Sequence, residues 1–133
     1  MKKLLFFVAS LVLLFSCTGC NEQKYSLKYS SDQICAIEIV SADSSLNYTV
    51  LKVLSETEKN SFIQQLETIA YRQYFIGDPK SISGIALKIT YREGDYEMIS
   101  SSWAEYVKDG DVFYIRRNCD DEAFNELVYD FLN

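Results

Sequence analysis

From Ile34 to Val40 the chain alternates, Cys35, Ile37 and Ile39 against Ala36, Glu38 and Val40, which predicts a β-strand with one face more apolar than the other. Tyr48 to Leu54 is rich in β-formers and predicts a second strand, paired with the first as a hairpin. The period then changes. Ser55 and Glu58 have the spacing of a capping box, and Phe62, Ile63, Leu66, Ile69 and Ala70 recur at helical spacing, so a helix is expected from Ser55 to near Tyr71. Gln73 to Ile76 reads as a short extended piece, and Gly77-Asp78-Pro79 opens a loop that runs to Ser83.

The most patterned part is Gly84 to Arg116. Ile85, Leu87, Ile89 and Tyr91 alternate with Ala86, Lys88, Thr90 and Arg92, and a two-residue turn at Glu93-Gly94 sets Tyr91 opposite Tyr96 and Ile89 opposite Met98. A second two-residue turn at Asp109-Gly110 sets Tyr106 opposite Phe113 and Ala104 opposite Ile115, which makes this part an antiparallel meander. After it, Asp120-Asp121-Glu122 supplies a cap and favourable charge for a last helix carrying Phe124, Leu127, Val128, Phe131 and Leu132 on one stripe. The expected fold is α+β. An antiparallel sheet, made of the N-terminal hairpin and the meander, carries two amphipathic helices on one face, in the order β-β-α-β-β-β-α.

A different pattern precedes the domain. Lys2-Lys3, the apolar run Leu4 to Phe15 and the small residues after it follow the order of an export signal. The run is too short to span a membrane, which takes about 20 apolar residues. Leu13-Leu14-Phe15-Ser16-Cys17 resembles the lipobox of bacterial lipoproteins, and Thr18-Gly19-Cys20, with Gly before the cysteine, is an alternative end for it. The resemblance implies a diacylglycerol on Cys17, or alternatively Cys20, and a palmitate-bearing anchor at the outer face of a bacterial cell membrane. Several acyl chains on one residue hold stably where one binds only marginally. The organisation expected is a signal peptide and lipobox over 1–20, a polar spacer over 21–33 and a single domain over 34–133. The succession of strands, helix, meander and final helix is similar to small lipoprotein domains of low-GC Gram-positive bacteria, a likeness that implies no activity.

Charge sharpens the picture. All 19 acidic residues lie beyond Cys20, whereas Lys2 and Lys3 leave with the signal, so 11 bases face 19 acids and the mature chain carries −8. That surface repels nucleic acid and anionic headgroups, and it also keeps an exported domain soluble. With no His, Ser-His-Asp and Cys-His systems and His-based metal sites are excluded, and no cofactor or metal is expected. Cys35 and Cys119 are an even pair outside the cytoplasm, and a disulfide between them is expected.

Chemistry is sparse. Glu97 and Glu105 are a candidate carboxylate pair for an envelope hydrolase, although nineteen acids make coincidental pairs easy. The stronger expectation is a non-catalytic binding face. The meander register predicts that Glu97, Trp103, Glu105, Tyr114 and Arg116 point away from the core, and Trp, Tyr and Arg dominate binding hot spots. Such a face could hold an envelope protein, a peptide or a glycan. In the alternative, Trp103 packs under the loop 77–83 or the spacer.

Overall fold

A computed structural model describes residues 23–43, 47–74 and 82–133, and their side chains except at 73, 74 and 113–116. The expected leader with its two candidate lipobox cysteines, Cys17 and Cys20, and the expected loop over 77–81 fall on residues outside those described. The described chain is α+β. Its strands are β1 (Gln23–Lys24), β2 (Ile34–Ala42), β3 (Tyr48–Val53), β4 (Ala70–Tyr74), β5 (Gly84–Tyr91), β6 (Tyr96–Ser100), β7 (Trp103–Lys108) and β8 (Asp111–Asn118). Helix α1 (Glu56–Leu66) falls between β3 and β4, and α2 (Asp121–Leu132) closes the chain. The predicted order is corrected by three strands that it lacks: β1 before the hairpin, β4 directly after a helix that stops at Leu66 rather than near Tyr71, and a fourth strand in the meander, which turns between Ser100 and Trp103 to give β6 and β7.

The strands form one antiparallel sheet in the order β1-β4-β8-β7-β6-β5-β2-β3. Both helices lie on one face. Ile37, Ile39, Leu87, Ile89, Ile99 and Ala104 from the sheet meet Phe62, Ile63 and Leu66 of α1 and Phe124, Leu127 and Val128 of α2 in a single core. Each large side chain fully buried there contributes about 1.5–3 kcal/mol. The α1 capping box forms as the spacing predicts: Ser55 Oγ accepts from Glu58 N, and Ser55 N donates to the Glu58 carboxylate at 2.8 Å. Asp120 caps α2 by accepting from Ala123 N at 3.1 Å.

Two turns depart from the predicted geometry, and each changes which side chains share a face. Between β5 and β6, Tyr91 N donates to Asp95 O and Gly94 N donates to Tyr91 O, so the loop is Arg92-Glu93-Gly94, three residues with Gly94 at φ +90°. A three-residue loop ending in a left-handed residue is a standard alternative to the two-residue hairpin. It pairs Ile89 with Glu97 instead of Met98. Between β7 and β8 the two-residue turn is as predicted, with Asp109 at φ 52° and Gly110 at φ 86°, but a bulge follows it and pairs Tyr106 with Tyr114.

The segment 23–33, expected as a spacer, lies on the folded body. β1 pairs with β4, Tyr25 is buried against Tyr71 with ring centroids 4.9 Å apart, and Leu27 and Tyr29 pack on the core. The expected disulfide is absent: Cys35 and Cys119 are both exposed and do not bond to each other. The sheet order explains it. β2 and β8 are four strand spacings apart, roughly 19 Å, against a Cα separation below about 7 Å that a disulfide requires.

Edge strand β3 exposes Tyr48, Val50, Leu51 and Val53, apolar on both of its faces. At the opposite edge β1 is only two residues long.

Candidate functional site

The slipped register of β6 moves Glu97 to the helix side of the sheet. It is fully buried, opposite Ile89 on one side and Tyr106 on the other. Its carboxylate accepts hydrogen bonds from the Tyr25 hydroxyl at 2.8 Å, the Tyr91 hydroxyl and the Lys28 backbone N–H at 3.3 Å. Next to it Tyr29 and Tyr106 share a hydroxyl contact of 3.1 Å, and Tyr106 donates to Asp95. Burial works against the charge on Asp95, but donation from the Tyr106 and Tyr29 hydroxyls outweighs it and holds the carboxyl below its ordinary range. The same contacts, with burial first, push the Tyr106 hydroxyl up. This network fastens the segment 25–29 to the sheet, with its Glu97 carboxylate fully buried.

Glu105 stays on the other face, opposite Met98. Glu97 and Glu105 therefore lie on opposite sides of the sheet and cannot flank one scissile bond. Glu105 is 7% exposed and lines a small hollow of about 130 Å³ whose walls are Tyr48, Ile82, Tyr96, Met98, Val107 and Val112. Its Oε1 is sealed from solvent with no hydrogen-bond partner among the described residues. Burial pushes this carboxyl up to about 7. Because its folded value lies above the unfolded one, its uncharged form suits the fold below about pH 4.5, and that advantage is lost as pH rises to about 7. The stability of Glu105→Gln relative to wild type is expected to rise by about 3 kcal/mol between pH 4 and pH 8 and to level off above. Thermal unfolding of both across that range measures it, and a flat difference would contradict the burial.

The β8 bulge rearranges the predicted binding face. An unbulged hairpin places Arg116 opposite Trp103 and Tyr114 opposite Glu105; the bulge places Arg117 opposite Trp103 and Ile115 opposite Glu105. Tyr114 and Arg116 occupy register positions opposite Tyr106 and Ala104, and their side chains lie outside the described residues. β4 then sets Arg72 opposite Arg117. The result is a row of Arg72, Arg117 and Trp103 across three neighbouring strands.

These residues line an open depression of about 590 Å³ with Ser101, Ser102, Asn118, Cys119 and Asp121. Trp103 is half-buried, and Arg72 and Arg117 are exposed. Arg72 and Arg117 stand directly opposite one another across neighbouring strands, which concentrates positive charge at this end of the depression. In the wall, Asn118 is buried; its Oδ1 accepts from Asp120 N at 2.8 Å, while its Nδ2 has no partner among the described residues. Sequence reasoning found Trp103 but chose the neighbouring arginine, and it missed Arg72 because β4 had no strand assigned. The pair Arg116-Arg117 carried the signal, but not which of the two faces outward.

No helix among the described residues is long and apolar enough to cross a membrane. Neither a protein-family model, nor a curated protein, nor a solved structure matches this chain.

Proposed function

We propose that this protein is a lipid-anchored, extracytoplasmic binding module, non-catalytic, whose contact face is the Trp103, Arg117 and Arg72 depression and whose ligand carries negative charge. The anchor rests on the leader: Cys17, or alternatively Cys20, receives the acyl chains and tethers the domain outside the cell membrane. The observation that carries the face is the register row itself, which brings a tryptophan and two arginines together on a chain of net charge −6. Arginine offers a planar fork of donors to carboxylate or phosphate, and the indole offers a flat surface for stacking. Envelope proteins, acidic peptides and anionic glycans all present such groups.

Trp103 is the only tryptophan in the sequence, so its fluorescence reports the face directly. Titration of the full chain in neutral detergent with a polyglutamate peptide and with a glycerol-phosphate oligomer is expected to give a saturable change with at least one of them. Arg117→Glu should then weaken binding about tenfold or more, and added salt should weaken it further. A signal that moves with neither probe, or equal binding by Arg117→Glu, overturns the assignment. Metabolic palmitate labelling tests the tether: label is lost in Cys17→Ser, or in Cys20→Ser if the later cysteine is used, and label in neither wild type nor variants refutes it.

A further inference from the structure

We propose that the hollow at Glu105, on the sheet face away from the helices, is a binding site for a primary alkylammonium group. The site is independent of the arginine depression. Its carboxyl stands among apolar side chains, Ile82, Met98, Val107 and Val112, and although the Tyr48 and Tyr96 rings also line the hollow, neither hydroxyl donates to the sealed Oε1. A buried carboxyl without a donor is a costly arrangement for a fold to keep, and a cation bearing N–H groups removes that cost more completely than any neutral donor.

Size selects the rest of the ligand. About 130 Å³ corresponds to about four water volumes, room for an ammonium on a chain of about four carbons. The apolar walls suit that stem. The same chemistry is found in a free alkylamine and in a lysine side chain of a partner protein.

Among the described residues, few charges stand near this carboxyl. Beyond Met98 in the same row stands Lys88 of β5, its ammonium 4.6 Å from the Tyr48 ring centroid and 5.0 Å from that of Tyr96, and beyond it Glu38 of β2. On β8, Arg117 follows along the face beside Trp103. Neither cation forms an ion pair with Glu105 among the described residues. Lys88 on its aromatic pair shows that this side of the sheet already accommodates an ammonium on a methylene chain.

An alkylammonium binds the ionised carboxyl, so binding expels the proton that burial otherwise retains. Affinity is expected to fall about tenfold per pH unit below about pH 7. The test uses the full chain in neutral detergent, carbon-13 labelled at Glu side chains, titrated by NMR with n-butylammonium and, separately, with Nα-acetyl-lysine methylamide. A saturable shift of the Glu105 carboxyl, with its titration midpoint lowered by ligand, is expected for at least one of the two. The arm that binds tells a free amine from a protein lysine. Glu105→Gln and Glu105→Leu should each weaken binding about tenfold or more while remaining folded. Butan-1-ol in place of the amine should produce no pH-dependent shift. Equal binding by Glu105→Gln, or no saturation by either amine up to tens of millimolar, overturns the site, and neither result bears on the arginine depression.

Discussion

Replacing Glu97 by alanine is expected to remove about 3–5 kcal/mol of stability, a large part of the 5–15 kcal/mol a domain of this kind has. The change leaves the Tyr25 and Tyr91 hydroxyls and the Lys28 N–H without the acceptor they share, and it opens a cavity beside Ile89 and Tyr106. Each stranded buried donor costs about 1–3 kcal/mol. Glu97→Gln retains an acceptor oxygen and should lose about half as much. Denaturant unfolding followed by circular dichroism gives both values. Because the network joins the segment 25–29 to β5 and β6, cleavage by a protease within 25–33 should precede global unfolding in the alanine variant. If Glu97→Ala unfolds within 1 kcal/mol of wild type, the carboxylate is not the knot of that network.

Deleting Gly94 is expected to abolish the fold. The three-residue loop sets the β5–β6 register, and a two-residue loop slips it by one position, which exchanges the two faces of β6. Ile99 and Glu97 would leave the core, and Met98 and Ser100 would replace them under the helices. Losing Ile99 from the core and the Glu97 network together exceeds the stability available. Gly94→Asn, which keeps the loop length and tolerates the left-handed backbone, should cost only about 1 kcal/mol. A well-dispersed amide spectrum for the deletion, beside that of Gly94→Asn, would show that the register is not fixed by this loop.

The same two registers mark how far the sequence could be read. Helical periodicity and caps were legible because they are local: Ser55 with Glu58, the cap at Asp120, the stripe of α2 and the part of the α1 stripe from Phe62 to Leu66 stand where the spacing puts them, whereas Ile69 and Ala70 lie beyond the end of α1, Ala70 in β4. The first hairpin was legible for the same reason. Pairing partners beyond one turn were not, since a single extra loop residue at 92–94 and one bulged residue in β8 each reverse a parity. That cost Glu97 its predicted place on the outer face and gave Arg117 the place assigned to Arg116. Tyr25 escaped notice because the polar residues around it, Gln23, Lys24 and Ser26, show no alternation, and its burial depends on a carboxylate 72 positions later in the chain. The long-range cysteine pair failed on sheet order, which no spacing between two residues encodes.

Among the described residues, the apolar rim formed by β3 is the long open border of the sheet, since the far border ends in a strand of two residues. Copies that stack rim to rim exhaust their open hydrogen bonds at once, so lateral growth terminates in a pair instead of propagating as a filament. That asymmetry favours limited self-contact over fibril growth.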